Sequence, residues 1–301
     1  MRFALAGTGV HLPDARDGRP RAGAEETTSA IAAAAAEQAL AEAGWAAADL
    51  DALIGASSVM EQPIPGTASL IGRRLGVRGA AGFDVNATCL SALVALDLAI
   101  TGIAAGKWRR VLVAGADLPS RAIDPADAEL AAIFGDGGAA LAVGEGEQAL
   151  LASRFETYGE YADLCALEAG GTRVDPYGDR EAFLVATRFR MAGPALYRAT
   201  ARVFPPFLDR LLGAAGVGAG ELDLVIPHQA SRAALDHLHR VLGVDSGRVI
   251  DIFDAHGNQV ASSLPHALHV ARTSRRLERG MRVLLVGSAA GISLGGMVIR
   301  W

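Results

Sequence analysis

LAEAGWAAADLDALIGASS, residues 40–58, and LGAAGVGAGELDLVIPHQAS, residues 212–231, are two copies of one pattern. At one constant offset Leu40 meets Leu212, Gly44 meets Gly216, Leu50 meets Leu222, Asp51 meets Asp223 and Ile54 meets Ile226. Each copy reads as a helix stopped by Gly, a short turn, and a buried apolar strand. The agreement continues downstream with small shifts. Leu75-Gly76-Val77 corresponds to Leu242-Gly243-Val244, Asp84 to Asp251, and the strand from Val111 to Gly115 to the one from Val283 to Gly287. Any α/β chain repeats "helix, Gly, apolar strand" by chance, but here order and spacing agree over several elements. The pattern therefore predicts two similar halves, residues 1–146 and 147–301, divided near Gly146. Alternating strands and helices predict an α/β fold with sheets covered by helices on both faces.

Bulk properties narrow the function. The chain has 301 residues, 51% hydrophobic and 20% charged, enough for a sizeable core and unlike a disordered composition. A net charge of −5 and the lack of a long Lys/Arg block argue against nucleic-acid binding. Heavy use of Ala looks like a coding bias, so the Ala-rich stretch from Ile31 to Leu40 is given little weight. No apolar run approaches the roughly 20 residues of a membrane span. The start MRFALAGTGVHLP turns polar by Asp14 and reads as a first strand rather than a signal peptide. Two cysteines, Cys89 and Cys165, make no disulfide framework. A soluble cytoplasmic protein is expected.

Three residues stand at turns where chemistry gathers. Cys89, in DVNATCLSAL, follows a strand ending near Asn86 and precedes helical spacing from Ser91. The free N–H groups of that helix start are expected to lower its thiol pKa and to face a developing oxyanion. A small buried hydrophobe is the alternative for a free Cys. His228 follows the strand Leu222–Ile226 and opens a helix, a place where ligand-contacting residues gather in α/β sheets; capping a loop is the alternative. Asn258, in HGNQVASS, enters an apolar helix roughly where the repeat puts the Cys89 turn, and capping is again the alternative. Cys165 has no paired base and reads as structural. His237 and His239 point to different faces of a helix. His266 and His269 share a face but lack a zincin context, so no metal is expected. Gly7-Thr-Gly9 lacks the third Gly of a dinucleotide fingerprint, and Gly135-Asp-Gly-Gly138 lacks a P-loop Lys; both read as tight bends.

DVNATCLSAL, IFGDGGAA at Ile133 to Ala140, PHQAS at Pro227, HGNQVASS at His256 and GSAAGISLGG at Gly287 stand in one order. Together they make the chain resemble the ketoacyl-ACP synthase III branch of the thiolase superfamily over almost its whole length. The resemblance implies a thiolase fold: two mixed five-stranded sheets in an αβαβα five-layer sandwich, forming a homodimer. It implies that Cys89 accepts the acyl group, with the N–H groups of Cys89 and Ala290 as the oxyanion hole. His228 and Asn258 then donate hydrogen bonds to a malonyl thioester, whose decarboxylated enolate attacks the acyl group. No cofactor is implied; substrates ride as coenzyme A or carrier-protein phosphopantetheine thioesters. Met191 and Gly193 border the acyl tunnel, and Ile64 is a contact from the partner subunit.

The chain departs from the family in several places. The Trp-bearing segment that stacks on the coenzyme A adenine is missing between Leu12-Pro13 and Thr27-Thr28, and its Arg partner falls at Ala128. Ser231 and Pro194 replace Asn residues that hold the pantetheine arm, and Arg232 is the candidate for docking an acidic carrier helix. These departures favour a carrier-bound or unusual donor. Rival readings are transfer of the acyl group from Cys89 to a hydroxyl or amine, and condensation without prior decarboxylation using a base such as Glu61. A non-catalytic subunit of a heterodimeric ketosynthase is the remaining rival, against which Cys89, His228 and Asn258 are all retained.

Overall fold

Helix α1 (Thr28–Ala43) begins where the Thr27 hydroxyl accepts the Ala30 N–H and stops at Gly44, which is left-handed at φ 67°. Helix α4 (Gly193–Ala215) stops in the same way at Gly216, φ 65°. The two helix ends paired by the sequence repeat are thus built alike. In this computed structural model, residues 1–16, 18–124 and 126–301 are described.

The first half contributes strands β1 (Arg2–His11), β2 (Ala52–Gly55), β3 (Ala81–Asp84) and β4 (Arg110–Asp117). A long strand β5 (Gly137–Thr157) is shared by both halves. Across the sheet the order is β3-β2-β4-β5-β1, with β2 parallel to β3 and β4, and β5 antiparallel to β4 and β1. The second half contributes β6 (Leu224–Pro227), β7 (Arg282–Ala289) and β8 (Ser293–Arg300). Here β6 is parallel to β7, β8 is antiparallel to β7, and residues Ala149–Thr157 of β5 lie antiparallel to β8. Val249 adds a parallel bridge beside Val225 on the outer side of β6. Both halves therefore have the same strand order. The division point near Gly146 falls inside β5, whose first part pairs with β4 and whose last part pairs with β8.

Helices α3 (Ser91–Ala104) and α6 (Ser263–Thr273) pack between the two sheets, with Leu93, Leu96, Ile100, Leu264 and Leu268 buried against both. Helix α1 and α2 (Thr67–Leu75) cover the outer face of the first sheet. Helix α4 and α5 (Arg232–Leu242) cover that of the second. This is the expected five-layer sandwich. Among the described residues, no helix is long and apolar enough to cross a membrane.

Two expectations need correction. Gly7 and Gly9 are not in a bend but inside β1, where a Cβ would run into the backbone oxygens of Ala39 and Ala35 on α1. The Ala-rich stretch is therefore meaningful: Ala32, Ala35, Ala36 and Ala39 are fully buried, and small residues on both sides let helix and strand approach closely. The link from Leu12 to Thr27 also carries a short hairpin, Ala15–Arg16 against Arg19–Pro20.

Candidate active site

Cys89 and Asn258 sit on two turns with the same construction. In the first, Asn86 Oδ1 accepts the Thr88 N–H (3.0 Å), the Ser91 hydroxyl donates to Thr88 O (2.7 Å), and Thr88 has φ 51°. In the second, Asn258 Oδ1 accepts the Val260 N–H (2.8 Å), the Ser263 hydroxyl donates to Val260 O (2.9 Å), and Val260 also has φ 51°. A β-branched residue in the left-handed region is a strained state, held in both turns by the flanking Asn and Ser. Each turn feeds a central helix, so the two helix starts meet where the halves join.

The construction fixes what Asn258 can do. Its Oδ1 is engaged, and one amide hydrogen goes to Ala230 O at 3.1 Å. One N–H remains to donate toward a ligand. His228, at the end of β6, is anchored by its N–H to Val286 O (2.8 Å), while its Nδ1 meets the Ser263 hydroxyl at 2.6 Å. The Ser263 hydroxyl has one hydrogen, reachable by both Val260 O and Nδ1; when it turns to Nδ1, Nε2 carries the imidazole proton and can donate. Burial pushes the imidazole down to about 4, so it is neutral. Gly287 is required behind it, because a Cβ there would lie 2.7 Å from His228 Cβ.

The helix start does not activate Cys89 in the way the sequence predicts. Burial pushes its thiol up to about 12, with further upward pressure from Cys165 and Asp117. The N–H groups of Cys89 and Ala290 do face the sulfur, but their pull is smaller than the desolvation.

Cys89, His228, Asn258, Met191, Gly193, Ser231 and Ala290 all line one cavity of about 1330 Å³, whose wall is mostly apolar. It is larger than the roughly 300–1,000 Å³ of ordinary ligand pockets. Cys165 also lines it, with its thiol pushed up to about 11 by burial. Ser231 uses its hydroxyl to cap α5, accepting the Ala234 N–H. Arg232 is not among the lining residues: its guanidinium is bound by Asp251 and Asp254 and lies over the Phe253 ring. Ile64 is 86% exposed and is likewise off the wall, although Met60, Glu61, Gln62 and Pro63 are on it. Glu61 accepts the Ser29 N–H at the start of α1. His266 is bound to Gln259 and His269 to Thr8, and among the described residues no three His, Cys, Asp or Glu side chains converge as a metal set.

Sequence reasoning missed Ser263, Gly287 and the buried Asp117. Ser263 was findable, since it matches Ser91 at the offset of the repeat.

Comparison with known proteins gives the same answer. Residues 83–159 match the family described as 3-oxoacyl-[acyl-carrier-protein (ACP)] synthase III, and residues 212–301 match its C-terminal part. A β-ketoacyl-[acyl-carrier-protein] synthase III from Bordetella petrii is 37% identical over 278 residues, 91% of this chain and 82% of the relative. One from Agrobacterium fabrum is 33% identical over 287 residues, 93% and 86% of the two chains. The crystal structure of 3-oxoacyl-[acyl-carrier-protein] synthase III from Aquifex aeolicus superimposes with TM-score 0.89 at 30% identity, covering 99% of this chain and all of that one. A duplicated thiolase fold, matched over nearly its full length at these identities, places the chain in the 3-oxoacyl-[acyl-carrier-protein] synthase III family of condensing enzymes.

Proposed function

We propose that the protein loads an acyl group from a thioester onto Cys89. It then joins that group to a malonyl unit with loss of carbon dioxide, giving a 3-oxoacyl thioester for fatty-acid or polyketide-type biosynthesis. The observation that carries this reading is the convergence of Cys89, His228 and Asn258 on one cavity, with the N–H groups of Cys89 and Ala290 turned to the sulfur. In the first step the sulfur attacks the acyl carbonyl and the donor thiol leaves with the proton that Cys89 gives up. The two N–H groups hold the oxyanion. In the second step Asn258 Nδ2 and His228 Nε2 donate to the malonyl thioester oxygen while the bond to the carboxylate breaks. The enolate carbon attacks the acyl carbon, and the Cys89 sulfur departs and takes a proton from solvent.

The acyl and pantetheine arms share an apolar cavity bordered by Met191 and Gly193, with Ser231 at its wall. Coenzyme A and carrier-protein thioesters both fit this scheme, and the missing adenine clamp favours the carrier. Arg232 reaches a carrier only from within its two ion pairs. A homodimer fits the first sheet, since β3 ends the strand order and Ala81 and Gly82 are exposed on that edge. Ile64 stands out from the surface, where a partner's tunnel would meet it.

The test is intact-protein mass spectrometry with a panel of acyl thioesters, followed by carbon dioxide release from a malonyl thioester. One acyl mass on the Cys89 peptide is expected, lost in Cys89→Ala. His228→Ala and Asn258→Ala are expected to keep acylation but lose roughly a hundredfold or more in decarboxylation. Acylation that survives Cys89→Ala, or resides on Cys165, refutes the proposal.

A further inference from the structure

The offset that carries Leu40 onto Leu212 also carries a second copy of the active site. It pairs Cys89 with Ala261, Asn258 with Asn86, His228 with Ala56, Gly287 with Gly115, and Ala289-Ala290 with Asp117-Leu118. The structure keeps the geometry at these stations. Asn258 Nδ2 donates to Ala230 O at 3.1 Å, and Asn86 Nδ2 donates to Ser58 O at 3.1 Å. A Cβ on Gly287 would sit 2.7 Å from His228, and one on Gly115 would sit 2.7 Å from the backbone of Ala56. The second copy thus has the framework of the first but neither thiol nor imidazole.

What stands in it is a carboxylate. Asp117 is 2% exposed. One of its oxygens accepts the N–H groups of Ser58 (2.8 Å) and Val59 (3.2 Å), and the other accepts that of Ala261 (3.0 Å). Ala261 is the counterpart of Cys89, while Ser58 and Val59 are the counterparts of Ala230 and Ser231, so Asp117 takes one N–H of the matching hole and two from the neighbouring wall. The N–H that faces the reacting sulfur in the first copy is therefore bound, in the second, to a carboxyl oxygen supplied by the chain itself. Burial pushes that carboxyl up to about 7 against the pull of the three N–H groups. The counterpart of Asp117 is Ala289, whose methyl group reaches no N–H, so the groups of Cys89 and Ala290 stay open to a substrate oxyanion. Converging backbone N–H groups are a general anion site, and they satisfy a buried carboxylate that has no cation beside it.

We propose that Asp117 is a built-in occupant of a second, silent oxyanion site, and that by filling it Asp117 positions the Asn258–Ala261 turn against the Ser58–Val59 wall. Both segments contribute to the cavity wall, through Asn258 and Val260 on one side and Ser58 and Val59 on the other. Asp117 is the side chain that ties them together across the two halves. As a clamp it acts on the half of the site that handles the malonyl unit, because Asn258 belongs to the tied turn; it makes no hydrogen bond to the N–H groups around Cys89 and reaches the thiol only through its charge. This consequence rests on the condensing reaction proposed above.

Two variants test the idea from opposite sides. Asp117→Asn keeps the shape and one acceptor oxygen, but turns an amide hydrogen toward the Ala261 N–H. Ala289→Asp places a carboxylate at the matching station of the Cys89 site. Three quantities are read: acylation of Cys89 by mass, carbon dioxide release by the pre-acylated protein, and amide hydrogen exchange of residues 257–263. Asp117→Asn is expected to acylate within about threefold of wild type, while decarboxylation falls roughly 10- to 100-fold. The loss should appear in kcat rather than in KM for the malonyl donor, with faster exchange in residues 257–263. Ala289→Asp is expected to lose Cys89 acylation by roughly a hundredfold or more, with exchange in residues 257–263 unchanged. Wild-type decarboxylation and exchange in Asp117→Asn overturn the positioning role. Wild-type acylation in folded Ala289→Asp overturns the equivalence of the two sites. If Asp117→Asn does not fold, Ala289→Asp decides the equivalence alone. Failure of wild-type protein to acylate Cys89 refutes the condensing reaction instead, and leaves the exchange measurement standing as the test of the clamp.

Discussion

Gly287→Ala tests the placement of His228 without replacing any side chain of the proposed reaction. The added Cβ would lie 2.7 Å from His228 Cβ and 3.2 Å from Leu90 Cδ2. Ordinary carbon contacts are about 3.5–4.0 Å, so the imidazole has to retreat by roughly 1 Å. Leu90 yields by a small side-chain rotation, but His228 is tied to Ser263 through Nδ1 and to Val286 through its backbone N–H. Overpacking of this kind typically costs about 1–3 kcal/mol of stability, which a folded domain tolerates. Catalysis is less tolerant, since a misplacement of about 1 Å can cost about a hundredfold. The assay is carbon dioxide release from a malonyl thioester by enzyme already acylated on Cys89, compared with the rate of acylation. The expected result is a loss of roughly a hundredfold in the first and less than tenfold in the second. Decarboxylation at the wild-type rate in Gly287→Ala would refute the role given to His228.

Three further outcomes are expected. Alkylation of Cys89 by iodoacetamide should rise about tenfold per pH unit from pH 7 to 10, because the thiolate fraction keeps growing below a pKa of about 12; a plateau near pH 8 would show an activated thiol. The protein should be a dimer by light scattering, and Ile64→Trp should narrow the range of acyl chains accepted; a monomer, or an unchanged profile, rejects that placement. One acyl group presented on coenzyme A should acylate Cys89 no faster than on a pantetheine analogue, since no Trp stands before Thr27 and Ala128 takes the place of the Arg. A large coenzyme A advantage would reveal a nucleotide contact elsewhere.

The three candidate side chains, which share one cavity wall, stood out because each lies just before a helix start that short motifs report. The layer order was legible because the repeat preserves spacing: β2 and β6, and β4 and β7, correspond end to end at the offset of Leu40 and Leu212. What the sequence hid depends on tertiary neighbours. A Gly-x-Gly in a strand reads like a bend until the alanines of α1 are seen lying on it. Arg232 reads as a free cation until Asp251 and Asp254, from a later segment, close on it. The thiol of Cys89 reads as activated from its helix start, yet it is half-buried on a mostly apolar cavity wall, and that desolvation depends on tertiary neighbours.

That desolvation bears on how the proposed chemistry begins. A resting thiolate–imidazolium pair would require moving a proton from a thiol at about 12 to an imidazole at about 4. At about 1.4 kcal/mol per pKa unit, the cost is on the order of 10 kcal/mol before their mutual attraction is counted. On the reaction proposed above, that cost favours a neutral resting site, in which the sulfur gains charge as it attacks a carbonyl held in front of the N–H groups of Cys89 and Ala290. Those donors stabilise a tetrahedral oxyanion better than a planar carbonyl, so they act on the transition state rather than on the resting enzyme. Selectivity follows from the same arrangement. A simple alkylating reagent presents no oxyanion and gains nothing from the hole, so it meets an unreactive thiol. An acyl thioester offers both the oxyanion and a departing sulfur to receive the proton. In that scheme the desolvation that slows adventitious electrophiles at Cys89 is the same one that makes its acylation depend on the correct substrate.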